Sequence, residues 1–391
     1  MGFKKSFKNF INPHTITGEG LELKSRSDNR LFGVGVKLDP PLFIAILILS
    51  VLGLLNLAGI VGAESVFFKK QLTFFVIGIF ILFLSPLIDY KIFKNYSLPS
   101  VIFFGVSIFL LLLTLQAAPV RGVTAWLHFP LGISFETSEI VKLAMILFLA
   151  KYFSSRINFN SIYAILISGI YTFLVIFLVF SQPDLGSAVI LFLIWLSSVF
   201  LFGLTKRQIL IAVIFLVIIF LTIGIFILQP YQQSRITSFL ASWSSQGNES
   251  YNVLQAKIAI GSGGFWGLGF GSGSQAKFGI LPEATSDFAL AALIEQFGFV
   301  ILATVLLLYL VILSRLFLIT LRANDNFSKF FVFMFLIYFS SHIVINIGMN
   351  LGLLPVTGLP LPFISYGGSY FISLMIGFTI LENIRSKSLN F

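Results

Sequence analysis

The chain has 391 residues, 57% of them hydrophobic and 10% charged, with a mean hydropathy of +1.00 and a formal charge of +10. Ordinary soluble domains carry about 25% charged residues, so that class is excluded; apolar runs of roughly 20 residues without strand-like alternation exclude a transmembrane barrel. Without cysteine there are neither disulfides nor thiolate chemistry, and what remains is an all-α polytopic membrane protein.

Ten transmembrane helices are predicted, at 41–60, 72–87, 99–117, 138–153, 161–180, 185–203, 208–228, 288–314, 328–353 and 364–381. The positive charge reads as topology, not as a nucleic-acid surface. With Lys151 and Lys329 counted on the flank each stands beside, 18 Lys and Arg fall on one side of the spans and 6 on the other. By the positive-inside rule both termini are cytoplasmic and the long loop between helices seven and eight is external. Residues 1–40 are expected as a basic cytoplasmic tail without a cleavable signal. Residues 41–381 form one membrane domain with its external loop at 229–287, and 382–391 a short cytoplasmic tail.

Along the chain, segment 121–142 brings Arg121 to the outer surface and Glu139 and Lys142 into the fourth span. Three residues apart, Glu139 and Lys142 share a helix face, and charges inside a membrane are costly enough to call for a function. A cavity-shaping pair and a self-neutralising ion pair that orients the helix explain them equally well. Asp184 reads as the cap of span six. Arg235 follows span seven; its planar fork matches phosphate oxygens, and a lipid headgroup contact accounts for it as well.

The 229–287 loop is far longer than an ordinary connection, which argues for function or internal structure. Its second half is glycine-rich and carries Lys257, Lys277, Glu283 and finally Asp287, where the next apolar run begins. Asp287 fits a helix cap or a catalytic carboxylate. Glu295, two turns further, is a second carboxylate inside the same span and needs a reason. The glycines have no strand–loop–helix context, so a nucleotide site is weakly supported. In span nine, His342 and Asn346 read as interhelical hydrogen-bonding groups. Segment 354–369, with three prolines and three glycines, predicts a rigid, non-helical cavity wall that includes Ser365.

Taken together, RGVTAWL, FETSEIVKL, QPDLGSA, YQQSRITSFL, AIGSGG, GFGSGSQ, LPEATSDF, IEQFG and NIGMNLGLLPVTGLPLPFISYGGS, in this order, resemble the SEDS family of shape, elongation, division and sporulation proteins. The wording VTGLPLPFISYGGS and KLDPPL leans to its RodA branch over FtsW. The resemblance implies a peptidoglycan glycosyltransferase serving cell-wall elongation and shape, which polymerises lipid II into glycan strands at the outer face of the bacterial cytoplasmic membrane. It implies a class B penicillin-binding protein as partner, with other membrane proteins of the wall-synthesis complex. The family's essential aspartate falls on Asp287 and its charged pair on Glu139 and Lys142. The chain departs from the family at Glu136, Thr137, Thr285, Ser286 and Gln296, where Gln, Pro, His, Thr and Glu are usual.

A β-1,4 bond made from an α-linked glycosyl diphosphate inverts the anomeric carbon, so one displacement with one base suffices. Asp287 is the expected base. Arg121, Arg235, Lys142, Lys257 and Lys277 are the external-side cations for the departing diphosphate, a divalent Mg or Mn ion being a further source of charge. Glu295 and Ser365 complete the expected cavity. Two other classes compete: a lipid II flippase, which needs no base, and a non-catalytic scaffold, which leaves the external polar residues without a purpose.

Overall fold

The structure, a computed structural model, describes residues 38–117, 124–129, 133–156, 162–202 and 251–388. The basic tail to residue 37, the expected seventh span at 208–228, Arg121 and Arg235 lie outside the described residues.

Helices α1 (Pro40–Val61) and α2 (Val66–Phe83) form a hairpin. Two prolines fill the first turn of α1, where no amide is needed, and Gly62 ends it with φ 82°. Ser65 then accepts the Phe68 amide at 3.2 Å, so α2 starts at Val66 and not at 72. A short α3 (Lys91–Asn95) leads to α4 (Leu98–Thr114). The all-α expectation needs one correction, because an antiparallel pair, β1 (Trp126–Phe129) and β2 (Ile133–Glu136), sets Trp126 opposite Glu136. These strands precede α5 (Thr137–Ser154), α6 (Ile162–Ser181) and α7 (Leu185–Leu201). Asp184 caps α7 through the Ser187 amide at 2.9 Å, as its position predicts.

The second half contains α8 (Tyr251–Ser262), α9 (Ser274–Lys277), α10 (Ala289–Arg322), α11 (Asn326–Asn350) and α12 (Gly368–Ser388). The 229–287 loop is therefore internally structured where described. Asp325 caps α11 through the Ser328 amide at 3.0 Å, so the turn is short and α10 runs on to Arg322, past the expected 314. Five of the described helices are long and apolar enough to cross a membrane: α1, α2, α6 over Tyr163–Ser181, α10 and α11.

The centre of the bundle is α5, packed against α4, α7, α11 and α12. Most of its residues are buried, Glu139 and Lys142 included. Protein, not lipid, surrounds it, which is why its charges are tolerated. Around this centre α1 packs along α10 and α2 along α12. Asp39, just before α1, pairs with Arg315 of α10 at 2.7 Å and gives its amide to Glu382 of α12, which also holds Arg385 at 2.8 Å. Three helix ends are thereby tied at the side that the charge count assigns to the cytoplasm.

Candidate active site

Helix α10 is broken. Gly298 has φ 76° and ψ −173° inside it, and a side chain there would run into the Phe265 carbonyl. A break inside a span strands backbone groups that must find partners in protein. The glycine loop after α8 supplies them. Leu268 and Gly269 donate their amides to the Glu295 and Gln296 carbonyls, each at 3.0 Å, and the Phe299 and Val300 amides reach the Gly264 and Phe265 carbonyls at 3.0 and 3.3 Å. The glycines thus serve backbone insertion into the gap rather than a phosphate cradle.

Glu295 takes part in the same construction. Expected in a substrate cavity, it is buried and accepts the Gln275 and Ala276 amides at 2.8 and 3.1 Å, capping α9. Gln296 accepts the Gly271 amide at 3.1 Å and donates to Asn56 of α1 at 2.9 Å. Lys277 donates to the Gly271 carbonyl at 2.8 Å from an exposed position. Glu295 and Lys277 are therefore occupied in shaping the loop.

Asp287 stands just before α10, but Phe288 is the N-cap residue, and the first-turn Ala291 amide is taken by the Asn350 side chain of α11 at 3.2 Å. The turn that carries Asp287 is fixed from several directions. Glu283, at φ 52°, accepts the Ser286 and Phe288 amides at 3.1 Å through its carbonyl and the Ser286 hydroxyl at 3.0 Å through its carboxylate. Ser365 donates to the Ser286 carbonyl, and the Tyr366 amide to Thr285 at 2.8 Å. Asn346 and Asn350 of α11 both donate to the Asp287 carbonyl, at 3.0 and 3.1 Å. The residue as a whole is only partly buried, and one carboxylate oxygen faces Gly358. Ser365 and Asp287 thus belong to one assembly, and 354–367, non-helical as its prolines and glycines predict, lies beside it.

Glu139 and Lys142 form a wholly buried ion pair at 2.7 Å. Tyr338 donates to the second Glu139 oxygen at 3.2 Å, and Ser373 of α12 to the Glu139 carbonyl at 3.0 Å. Tyr338, His342, Asn346 and Asn350 recur every fourth residue, so they line one face of α11. His342 meets the Pro360 carbonyl at 3.3 Å, and Asn346 also holds the Leu359 carbonyl at 2.8 Å. This stripe, roughly 18 Å long at 1.5 Å per residue, connects the Asp287 turn to the buried pair. The sequence reading found its middle, His342 and Asn346, but not its ends. A four-residue recurrence of polar side chains in an apolar helix was the available signal.

Glu136, just ahead of α5, was also overlooked as a site residue. Burial, then the neighbouring carboxylates of Glu139 and Asp184, push its pKa up to about 8, against the pull of Lys142 and the Ser138 hydroxyl, 2.9 Å away. It is accordingly a neutral acid at pH 7. Of the expected cations, Lys257 is exposed on α8 and lies over Gly352, two residues beyond Asn350. Lys142 is committed to Glu139. Among the described residues, no three acidic, histidine or cysteine side chains converge on a metal position.

A family model for FtsW, RodA and SpoVE, described as "Cell cycle protein", matches residues 40–390. Among curated relatives, the chain is 31% identical over 360 residues to "Peptidoglycan glycosyltransferase MrdB" of Escherichia coli K12, covering 92% of this chain and 96% of that one. It is 34% identical over 333 residues to "Stage V sporulation protein E" of Bacillus subtilis, covering 83% and 88%. The solved structure of the Thermus thermophilus rod shape determining protein RodA superposes with a TM-score of 0.68 at 25% identity, covering 91% of this chain and 99% of that one. A chain from a structure described as "Structural coordination of polymerization and crosslinking by a peptidoglycan synthase complex" gives 0.75 at 26% identity, covering 90% and 99%.

Proposed function

The chain belongs to the FtsW, RodA and SpoVE family of cell-cycle proteins, and we propose that it is a membrane-embedded peptidoglycan glycosyltransferase in which Asp287 is the general base. It extends glycan strands from lipid II at the outer face of the bacterial cytoplasmic membrane. The acceptor 4-hydroxyl attacks C1 of the donor sugar, its proton passes to the Asp287 carboxylate, and the polyprenyl diphosphate leaves from the opposite face. A positioned carboxylate contributes about 10²–10⁴-fold in such a step. Lys257, exposed near the end of α11, is the described cation best placed to receive the diphosphate, and Arg121 and Arg235 are the further candidates. The polyprenyl chains lie against exposed apolar helix faces. The solved complex named above supports a class B penicillin-binding protein beside this chain as the cross-linking partner.

The observation that carries this reading is the contrast at Asp287: its backbone carbonyl is held by two asparagines of α11 while the residue itself is only partly buried. Effort spent on holding one carboxylate in place suits a base and is superfluous for a surface acid. The test is polymerisation of lipid II by purified chain in detergent, where no sidedness exists for a flippase to act on. Wild type makes glycan and Asp287→Asn, equally folded, makes at least about 10²-fold less. Equal product from both would remove Asp287 from the reaction.

A further inference from the structure

At the end of α5 farthest from Glu136, a cavity of about 360 Å³ opens between the start of α4 and the end of α5. Its polar lining is Ser97, Ser100, Lys151, Tyr152, Ser155 and Arg156, with Val101 and Phe148 on the apolar side. Among the described residues the lining therefore holds two cations and no carboxylate.

Several features suit this cavity to an anion. Ser97 leaves the start of α4 without a side-chain cap, and the first turn has no acidic residue. Pro99 supplies no amide and that of Val101 goes to the Ser97 carbonyl, which leaves the Leu98 and Ser100 amides without an intrahelical acceptor at the positive end of the helix dipole. Ser100 adds an independent observation: it is fully buried, lines the cavity, and its hydroxyl finds no hydrogen-bond partner among the described residues. A buried hydroxyl in that state is costly, and a bound acceptor removes the cost.

The cations are also available. Lys151 donates to the Lys94 carbonyl at 2.6 Å, a contact that positions its ammonium without neutralising it, while Lys94 itself faces Asp325 at 3.4 Å. Arg156 stacks over the Tyr152 ring at 4.0 Å from its centroid. Stacking uses the face of the guanidinium and leaves its edge of donors for a phosphate.

The lipid surface runs into the cavity. Val101 is 49% exposed and Ile102 beside it 54%, so the apolar rim continues onto the outside of α4, where acyl chains lie. We propose that this cavity binds the phosphate of an anionic phospholipid headgroup, its acyl chains following Val101 and Phe148, in the leaflet that the charge count makes cytoplasmic. Basic pockets between spans on that side are suited to such headgroups. The proposal does not depend on the role of Asp287.

The test uses the full chain in detergent, titrated with phosphatidylglycerol or phosphatidylcholine and read by native mass spectrometry, with and without excess inorganic phosphate. Wild type retains phosphatidylglycerol about tenfold more tightly than phosphatidylcholine. Arg156→Gln and Ser155→Glu each bring the two lipids close to parity, and free phosphate leaves the adduct in place. Ser155 is exposed, so its variant supplies the comparison should Arg156→Gln unfold early. Equal retention of both lipids by wild type, or an unchanged preference in both variants, overturns the site. Displacement by inorganic phosphate overturns the lipid and assigns a soluble anion instead.

Discussion

Asn350 donates its carboxamide to the main-chain carbonyl of Asp287 at 3.1 Å and accepts the Ala291 amide at 3.2 Å. A single side chain of α11 thereby sets the spacing between the Asp287 turn and the first turn of α10. Asn346, one turn earlier, donates to the same carbonyl and to that of Leu359. The backbone from which the Asp287 carboxylate projects is therefore held by two side chains of α11.

Removing these donors should misplace the carboxylate without removing it. Each of Asn346→Ala and Asn350→Ala leaves buried groups unpaired, at a cost of about 1–3 kcal/mol. The double variant should lose roughly 10–100-fold in turnover, the scale of a small misplacement at a reacting centre, while lipid II concentration dependence changes little. Steady-state polymerisation kinetics separate the two quantities. Unaltered turnover in a folded double variant would show that the position of the Asp287 backbone is immaterial.

The Glu139–Lys142 pair can be tested as structure against function. Both ends are buried and hydrogen-bonded, so Glu139→Gln or Lys142→Met alone strands a charge, at about 3–5 kcal/mol for such breakage. The double replacement leaves no charge and should recover most of the thermal midpoint lost by the single variants. If the pair shapes the cavity, the double variant stays slow although stable. Full activity in it would reduce the pair to an orienting device.

Glu136 makes the fold sensitive to pH. Its carboxylate titrates at about 8 in the folded chain against an ordinary value of 4.5. Between these values the folded state keeps a proton that the unfolded state has released, so stability from this group is complete below pH 4.5 and is lost as the pH rises towards 8. The thermal midpoint in detergent should fall across that window and flatten above it. Glu136→Gln, which keeps an acceptor for Ser138, should make the fall across that window shallower and exceed wild type near pH 8. Parallel curves for the two proteins would place the titration elsewhere.

How much of this was legible beforehand depended on the range of each interaction. Asp287 announced itself by ending a polar stretch where an apolar run begins, and Glu139 with Lys142 by three-residue spacing inside a span. Asp184 was readable because a cap acts on its own helix. Glu295 was not, since the amides it caps, at residues 275 and 276, are brought to it only by the tertiary path of the glycine loop. The asparagine spacing on α11 was visible, but the carbonyl it serves lies about sixty residues away in sequence. The break in α10 was hidden because apolar residues continue on both sides of Gly298.

That break gives the last prediction. Gly298 holds a positive φ that other residues adopt with strain, and the Phe265 carbonyl occupies the place of any side chain. Gly298→Ala should therefore either expel the loop or distort the helix, costing more than about 1–3 kcal/mol since strain and collision add. Straightening the helix would let the Phe299 amide return to Glu295, releasing the Gly264 and Phe265 carbonyls and the Leu268 and Gly269 amides. Limited proteolysis should then cut within 263–273 in the variant under conditions where wild type resists, and hydrogen exchange should rise at Leu268 and Gly269. Activity should fall with it, since the first half of α10 follows directly from the Asp287 turn. A variant with wild-type protection and wild-type midpoint would mean that the loop does not depend on the break.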